Sequence, residues 1–145
     1  MYVFERAVRF EDVDAAGIVF FPRFLSYCHE AMEALCATLD GGYAGLVVDR
    51  KIGMPAVHVE VDFISPLRFG DTVRIEVVVE QIGRTSATFR YALSNPKSGA
   101  AVAVVRHVVV VSDLRALAKL PIPNDVRALL EQHLAAARLE TKTPS

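Results

Sequence analysis

The distribution of valine divides this chain into one helical region and several strand-forming regions. The sequence contains 21 valines, yet none lies between Phe20 and Leu46. Valine loses side-chain freedom in a helix and packs well on a pleated strand. The gap therefore predicts the main helix, and the valine-rich remainder predicts a β-sheet.

Hydrophobic periodicity also favours a helix in this gap. Apolar side chains recur there at steps of three and four residues, which is the spacing of one helix face, at Phe21, Leu25, Cys28, Met32, Leu35 and Leu39. Pro22 suits the first turn, where its missing N–H costs nothing. Asp40-Gly41-Gly42 predicts the end of the helix, because glycine readily forms a left-handed cap. The apolar side is broad enough that we expect other elements to surround the helix, since it also includes Phe24, Tyr27, Ala31 and Ala34.

The rest of the chain is typical of strands followed by one more helix. Alternation and turn residues predict five strands, at Tyr2–Phe10, Ala56–Ile64, Thr72–Ile82, Thr85–Ser94 and Ala100–Ser112. The last three have short connections, which favour an antiparallel meander. Tyr43–Lys51 is a candidate short helix. The segment Asn124–Arg138 predicts a terminal amphipathic helix that buries Val126, Leu129, Leu130 and Leu134.

This order of elements predicts an α+β fold, with one antiparallel sheet of about five strands wrapped around a long central helix. We expect a single domain over residues 1–138, followed by a polar tail, Leu139–Ser145.

Composition argues against several classes of function. The 16 Lys and Arg residues balance 17 Asp and Glu residues, so no polybasic surface for nucleic acid or an anionic membrane is expected. The apolar stretch Ala100–Val105 is far shorter than the ~20 residues of a membrane helix.

Cys28 and Cys36 lie eight positions apart on the predicted helix, or roughly 12 Å, which is beyond disulfide reach. Their spacing also supplies no metal-ligand pattern, and two unpaired thiols favour the cytoplasm.

The segment Phe10–Phe24 carries the most evident chemistry. Asp12 and Asp14 precede a small-residue turn that leads directly into the apolar start of the helix. Both carboxylates can be explained as turn formers that accept local amides. The alternative is an acyl-transfer site, because no Ser, Thr, Asp or Asn stands immediately before Pro22 to cap the helix. Uncapped amides could receive an oxyanion while Asp14, desolvated by Phe20 and Phe21, attacks or activates water.

These residues resemble a known family. The run from Asp12 to Pro22 reads D-V-D-A-A-G-I-V-F-F-P, and a Phe69-Gly70-Asp71 turn follows the helix. This pattern is similar to that of the hotdog-fold thioesterases, and most similar to the 4-hydroxybenzoyl-CoA thioesterase group, whose motif is D-x-D-x-A-G-I-V-x-x-P. The strand–helix–four-strand order matches that fold over Tyr2–Leu117.

The resemblance implies a role for three positions. Asp14 matches the catalytic nucleophile or general base, the amide of Phe21 matches the oxyanion donor, and Gly17 matches a glycine that permits close backbone approach. Members of the group hydrolyse acyl-CoA without metal or organic cofactor, as homodimers or homotetramers with the site between subunits. A related branch that acts on short acyl-CoA or carrier-protein thioesters has His where this chain has Phe21, so the resemblance favours an aryl-CoA such as a hydroxybenzoyl-CoA.

Further contacts with substrate are predicted around this core. Phe20 and Pro22 flank the oxyanion donor. His29 occupies a helix position where the family commonly has Asp or Glu, although a buried, hydrogen-bonded histidine is the simpler explanation. The Coenzyme A phosphates require cations, and the resemblance favours the turn Arg84-Thr85-Ser86 and Lys119, each of which an ordinary solvated surface also explains.

Two other functions, one on the same fold and one on a related fold, are alternatives to hydrolysis. A non-catalytic acyl-CoA-binding module would bind the thioester without releasing CoA. Hydration of an enoyl thioester would normally use a His–Asp pair at the helix start, where Phe21 and Pro22 provide no histidine. The intact Asp14 beside an uncapped helix favours the hydrolase.

Overall fold

The fold of this chain places one long helix against a five-stranded antiparallel sheet. The computed structural model describes residues 1–135. The large sheet consists of β1 (Tyr2–Ala7), β3 (Ala56–Phe63), β4 (Thr72–Ile82), β5 (Ser86–Ser94) and β6 (Ala101–Val110). Its spatial order is β1-β4-β5-β6-β3, and every neighbouring pair is antiparallel. The predicted α+β fold with about five strands is therefore confirmed.

The central helix α1 (Arg23–Leu35) packs across this sheet and continues into a 3₁₀ turn, Cys36–Thr38. Its buried side chains include aromatic, sulfur-containing and aliphatic groups, at Phe24, Tyr27, Cys28, Ala31, Met32 and Leu35. They meet the buried side chains of the three central strands, which include Ile75, Val77, Phe89, Tyr91 and Val105. The predicted broad apolar side of the helix is therefore its buried face.

Leu25 departs from the predicted apolar face of the helix. Its side chain is 41% exposed, because it lies at the margin of the buried face rather than on it. It borders a groove that also contains Val59 of the edge strand β3. The spacing of apolar residues at steps of three and four identified the correct face of the helix but not the boundary of that face.

Several predicted element boundaries are wrong for local reasons. Strand β1 ends at Ala7 rather than Phe10, because Phe10–Asp12 forms a 3₁₀ turn. The last predicted strand divides into β6 and β7 (Ser112–Asp113), and β7 joins a second sheet with β2 (Ile52–Gly53) and β8 (Ala118–Lys119). Two-residue strands carry no alternation, so the sequence pattern could not reveal this second sheet.

The shorter helices also differ from prediction. The candidate helix Tyr43–Lys51 consists of α2 (Gly42–Ala44) and a π-helical turn, Gly45–Asp49. Helix α3 (Asn124–Gln132) buries Val126, Leu129 and Leu130, but Leu134 lies beyond its end and is exposed. The remainder of the predicted terminal helix and the tail, residues 136–145, lie outside the described residues.

The two cysteines are free and buried within the core. Burial raises the pKa of both thiols, to about 11 for Cys36, which leaves them protonated near neutral pH. Within residues 1–135 no helix is long and apolar enough to span a membrane.

Candidate active site

The residues of the acidic motif form a small hairpin between β1 and α1. The amide of Phe20 donates to the carbonyl of Asp12, and the amide of Asp14 donates to the carbonyl of Ile18, both at 2.9 Å. A bridge between Val13 and Val19 completes the ladder. Asp14 thus lies two ladder positions beyond the Asp12–Phe20 pair, or about 7 Å along the strands.

Gly17 is required at the tip of this hairpin for its backbone conformation. Its φ is +81°, in the region that other residues adopt only with strain, and its amide donates to the carbonyl of Asp14 at 2.9 Å. A Cβ placed there would meet no atom of the described residues within 4 Å. Within residues 1–135 no neighbouring backbone approaches this position closely, and the turn itself explains the glycine.

Asp14 is exposed at the surface of the single chain. Its Oδ1 accepts a hydrogen bond from the amide of Ala16 at 2.9 Å, so the turn-former interpretation holds for one of its oxygens. The prediction that Phe20 and Phe21 desolvate this carboxylate is wrong for the isolated chain, because Asp14 is itself exposed to solvent.

The start of α1 leaves one unpaired amide. The amides of Arg23, Phe24 and Leu25 each donate to the carbonyl three residues earlier. The sequence predicted several free donors, but 3₁₀-type bonds satisfy those of the first turn. The N–H of Phe21 lies between the hairpin amide of Phe20 and Pro22, and among the described residues it donates to no acceptor.

An apolar groove of about 300 Å³ lies beside Phe21. It is lined by Ile18, Val19, Phe21, Phe24, Phe63, Ile64, Ser65 and Pro66. The ring of Phe63, at the end of β3, contacts the rings of Phe21 and Phe24 edge-on. Phe20 packs against Phe21 with ring centres 5.3 Å apart, and Pro22 is exposed immediately before the helix. Sequence analysis missed Phe63, because only the fold brings the end of β3 to the helix start.

A second groove, of about 210 Å³, lies between the middle of α1 and strands β3 and β6. Its walls are largely apolar, but His29 and His107 supply imidazoles. The Nδ1 of His107 is 3.1 Å from the Tyr91 hydroxyl, and burial together with the charge of His29 lowers the pKa of His107. The explanation of His29 as a buried histidine is wrong, because its side chain is half exposed and its Nε2 lies 2.9 Å from Glu33.

The other predicted substrate contacts lie on the surface. Arg84 is exposed in the turn between β4 and β5, while Thr85 and Ser86 are half-buried. The amide of Ile122 and the guanidinium of Arg127 anchor this turn by donating to its carbonyls. Lys119 is exposed on β8. These residues remain candidate contacts for CoA.

Asp12 lies at the base of the hairpin and is fully buried, with 0% exposure. It pairs with the guanidinium of Arg6 from β1 and accepts the amide of Arg9 at 2.9 Å. Arg6 in turn contacts Glu30 of α1 at 2.8 Å and stacks over the ring of Tyr27.

The buried charge of Asp12 is well compensated. Burial by itself would raise the pKa of Asp12, but the Arg9 amide, the Arg6 guanidinium and the Tyr27 hydroxyl together hold it below its usual value. Asp12 Oδ1 and that hydroxyl form no hydrogen bond of good geometry with the described residues, although they are close enough to interact electrostatically. Sequence analysis treated Asp12 as a turn former and gave no signal for Arg6.

Comparison with known proteins identifies the family. The family profile described as the thioesterase-like superfamily matches residues 8–130. The chain belongs to the thioesterase-like superfamily. A 1,4-dihydroxy-2-naphthoyl-CoA hydrolase from Synechococcus elongatus is 38% identical to this thioesterase-like protein over 121 residues, which cover 83% of the chain and 89% of the relative. The prediction of a hotdog-fold acyl-CoA thioester hydrolase is confirmed at the level of fold and enzyme class.

Solved structures agree with this assignment. A 1,4-dihydroxy-2-naphthoyl-CoA thioesterase from Synechocystis superposes on the thioesterase-like chain with a TM-score of 0.80 at 26% identity, covering 89% of this chain and 94% of that one. A gentisyl-coenzyme A thioesterase superposes with a TM-score of 0.78 at 30% identity, covering 88% and 98%. Within residues 1–135 no cluster of three or more His, Cys, Asp or Glu side chains is arranged to hold a metal ion.

The stability of this thioesterase-like chain should depend on the ionisation of Asp12. Because its pKa is lower in the folded state, its contribution is complete above the unfolded-state pKa, about 3.9, and is lost as pH falls toward the folded value. We predict that Asp12→Asn lowers the free energy of unfolding at pH 7 by about 3 kcal/mol, because it leaves the buried Arg6 guanidinium with only the partly exposed Glu30 as its charge partner. Urea denaturation between pH 3 and pH 7 should show that the free energy of unfolding falls less steeply toward low pH in the variant than in the wild type. Parallel pH profiles for the two proteins would contradict this assignment.

Proposed function

We propose that this chain hydrolyses an aryl-CoA thioester to the free acid and CoA. The proposal depends on one observation, the unpaired N–H of Phe21 at the start of a buried helix, one residue beyond the Asp12–Phe20 pair of the hairpin that carries Asp14. We place the thioester carbonyl at that amide, with its carbon facing the carboxylate of Asp14. An N–H donor at a helix start stabilises the negative charge that develops on the carbonyl oxygen.

The reaction needs only these two groups at the carbonyl. Asp14 either attacks the carbonyl carbon, giving an acyl anhydride that water opens, or removes a proton from the attacking water. In both cases the tetrahedral oxyanion receives the Phe21 hydrogen bond, the C–S bond breaks, and CoA leaves as a thiolate that takes up a proton. Because thiolate is a good leaving group, we infer that no histidine or serine partner is needed.

The two grooves favour an aromatic acyl group. The groove beside Phe21 is walled by phenylalanine rings, which pack well against a flat ring at edge-to-face geometry. The second groove offers His29 and His107 as hydrogen-bonding groups within apolar walls. Relatives named for dihydroxynaphthoyl-CoA and gentisyl-CoA act on ring systems that carry hydroxyl groups. We therefore propose a hydroxyaryl-CoA as the substrate, with CoA phosphates held by the Arg84-Thr85-Ser86 turn and Lys119.

We also propose that the enzyme works as a homodimer or homotetramer in the cytoplasm. Strand β3 is an edge of the large sheet and carries exposed apolar side chains, including Val57 at 60% exposure. An uncovered apolar edge strand is a template for pairing with a second copy. Both grooves include residues of β3, so a second copy at this edge would enclose them.

The choice of acyl group is tested with a panel of CoA thioesters and a thiol reagent that reports free CoA. We predict that 4-hydroxybenzoyl-CoA is hydrolysed with a kcat/KM about tenfold above benzoyl-CoA, because one well-paired hydroxyl is worth about 1.4 kcal/mol. Straight-chain acyl-CoAs should react more slowly than both. Equal rates for aryl and straight-chain substrates would contradict the aryl assignment, and tight binding without CoA release would indicate a binding module instead.

The role of Asp14 is tested by Asp14→Asn. We predict a fall in kcat of about 10³-fold, since the amide neither attacks nor accepts a proton at neutral pH. The dissociation constant for the substrate, measured by calorimetry, should change little because the grooves are intact. Asp49→Asn, which alters another exposed aspartate, is the matched control and should retain full activity. If Asp14→Asn kept most of the activity, the assignment would be wrong.

Assembly is tested by placing a charge on the exposed edge strand. We predict that Val57→Lys moves the protein toward monomer in sedimentation equilibrium, because a lysine on an edge strand opposes pairing. Val48→Lys, at another exposed valine outside the sheet, should leave the mass unchanged. Wild-type protein that sediments as a monomer would rule out the proposed assembly.

A further inference from the structure

The polar cluster beneath the hairpin connects three separate parts of the chain. Arg6 comes from β1, Asp12 from the hairpin, and Tyr27 and Glu30 from α1. The Arg6 guanidinium lies at its centre, since it pairs with both carboxylates and stacks over the Tyr27 ring at 4.7 Å. A planar guanidinium with contacts on two edges and one face has little freedom to rotate.

Asp12 connects this cluster to the two proposed reacting groups. Its side chain is held by Arg6 and by the amide of Arg9, while its carbonyl accepts the amide of Phe20 at 2.9 Å. The free amide of Phe21 is the next along the chain. Asp14 lies two residues from Asp12 on the same strand of the hairpin, opposite the strand that leads to Phe21. The placement of both the carboxylate and the oxyanion donor therefore depends on Asp12.

Arg23 gives a second connection on the helix side. Its Nη1 lies 3.8 Å from Asp12 Oδ1, and its Nη2 donates to the carbonyl of Glu11 at 3.4 Å. The first residue of α1 is therefore tied to the same carboxylate that fixes the hairpin. The ion pairs of Asp12 therefore hold both the hairpin that carries Asp14 and the start of the helix that follows Phe21.

We propose that Asp12 and Arg6 are positioning residues for thioester hydrolysis, which set the distance between the Asp14 carboxylate and the Phe21 amide. This inference rests on the proposed function, because it assigns those two groups to the reaction. Neither Asp12 nor Arg6 contacts the substrate, since both lie beneath the hairpin with exposures of 10% or less. A displacement of about 1 Å between reacting groups costs up to 10²-fold in rate.

The test compares kcat and KM in single variants, measured with the CoA thioester of the panel that the wild-type protein hydrolyses fastest. Asp12→Asn should lower kcat about 10²-fold while KM changes less than threefold, because the binding grooves lie elsewhere. Arg6→Gln should act like Asp12→Asn. Arg6→Lys should recover about tenfold of that loss, since it restores the charge opposite Asp12 but not the two-edged contact.

The matched control is Asp125→Asn, which makes the same chemical change in the Arg50–Asp125 ion pair at the start of α3. It should leave kcat unchanged. All variants are assayed at a temperature where circular dichroism shows them folded, so a loss of stability alone does not lower kcat. Amide hydrogen exchange of a peptide covering residues 12–21 should be faster in Asp12→Asn than in wild type.

Several results would overturn the proposal. Wild-type kcat in folded Asp12→Asn would reduce the cluster to a structural role, and so would a rise in KM at unchanged kcat. If Asp12→Asn does not fold, equal kcat values for Arg6→Lys and Arg6→Gln would do the same. Failure of the proposed function is distinct, because wild-type protein would then release no CoA from any thioester of the panel.

Discussion

The burial of α1 against the sheet is the interaction on which the rest of this structure depends. Six side chains of the helix are buried among strand residues, and each fully buried aliphatic or aromatic side chain contributes about 1.5–3 kcal/mol. Because the helix is held along most of its length, its first residue has a fixed place. That place is at the surface, next to the end of the edge strand β3, where the chain presents the free Phe21 amide.

The ion pairs beneath the hairpin connect the hairpin to β1 and to α1. A buried carboxylate is costly unless it is paired and hydrogen-bonded, and Asp12 has both a guanidinium and a backbone amide. An apolar group of similar volume would fill the same space. It would not fix the direction of the hairpin, because apolar contacts are non-directional. Charge in this position therefore specifies geometry as well as contributing to stability.

The surface of the single chain supports the proposal that the enzyme works with a second copy. Asp14 and Phe21 are both exposed, and both grooves open beside the uncovered strand β3. Hydrogen bonds to a developing oxyanion are strongest where water is excluded. A partner at the β3 edge would supply that exclusion at the two grooves.

Sequence patterns determined the class of the fold, the long helix, the five main strands and the acidic motif, because these depend on period-two and period-3.6 hydrophobicity and on local turn chemistry. Tertiary structure alone decided which aspartate is buried, since Asp12 and Asp14 have the same chemistry and differ only in whether Arg6 of a separate strand meets them. It also decided that one amide, not several, is free at the helix start, and that Phe63 joins the site across more than 40 residues of sequence. Such contacts are fixed by packing between elements, and no local pattern in the sequence encodes them.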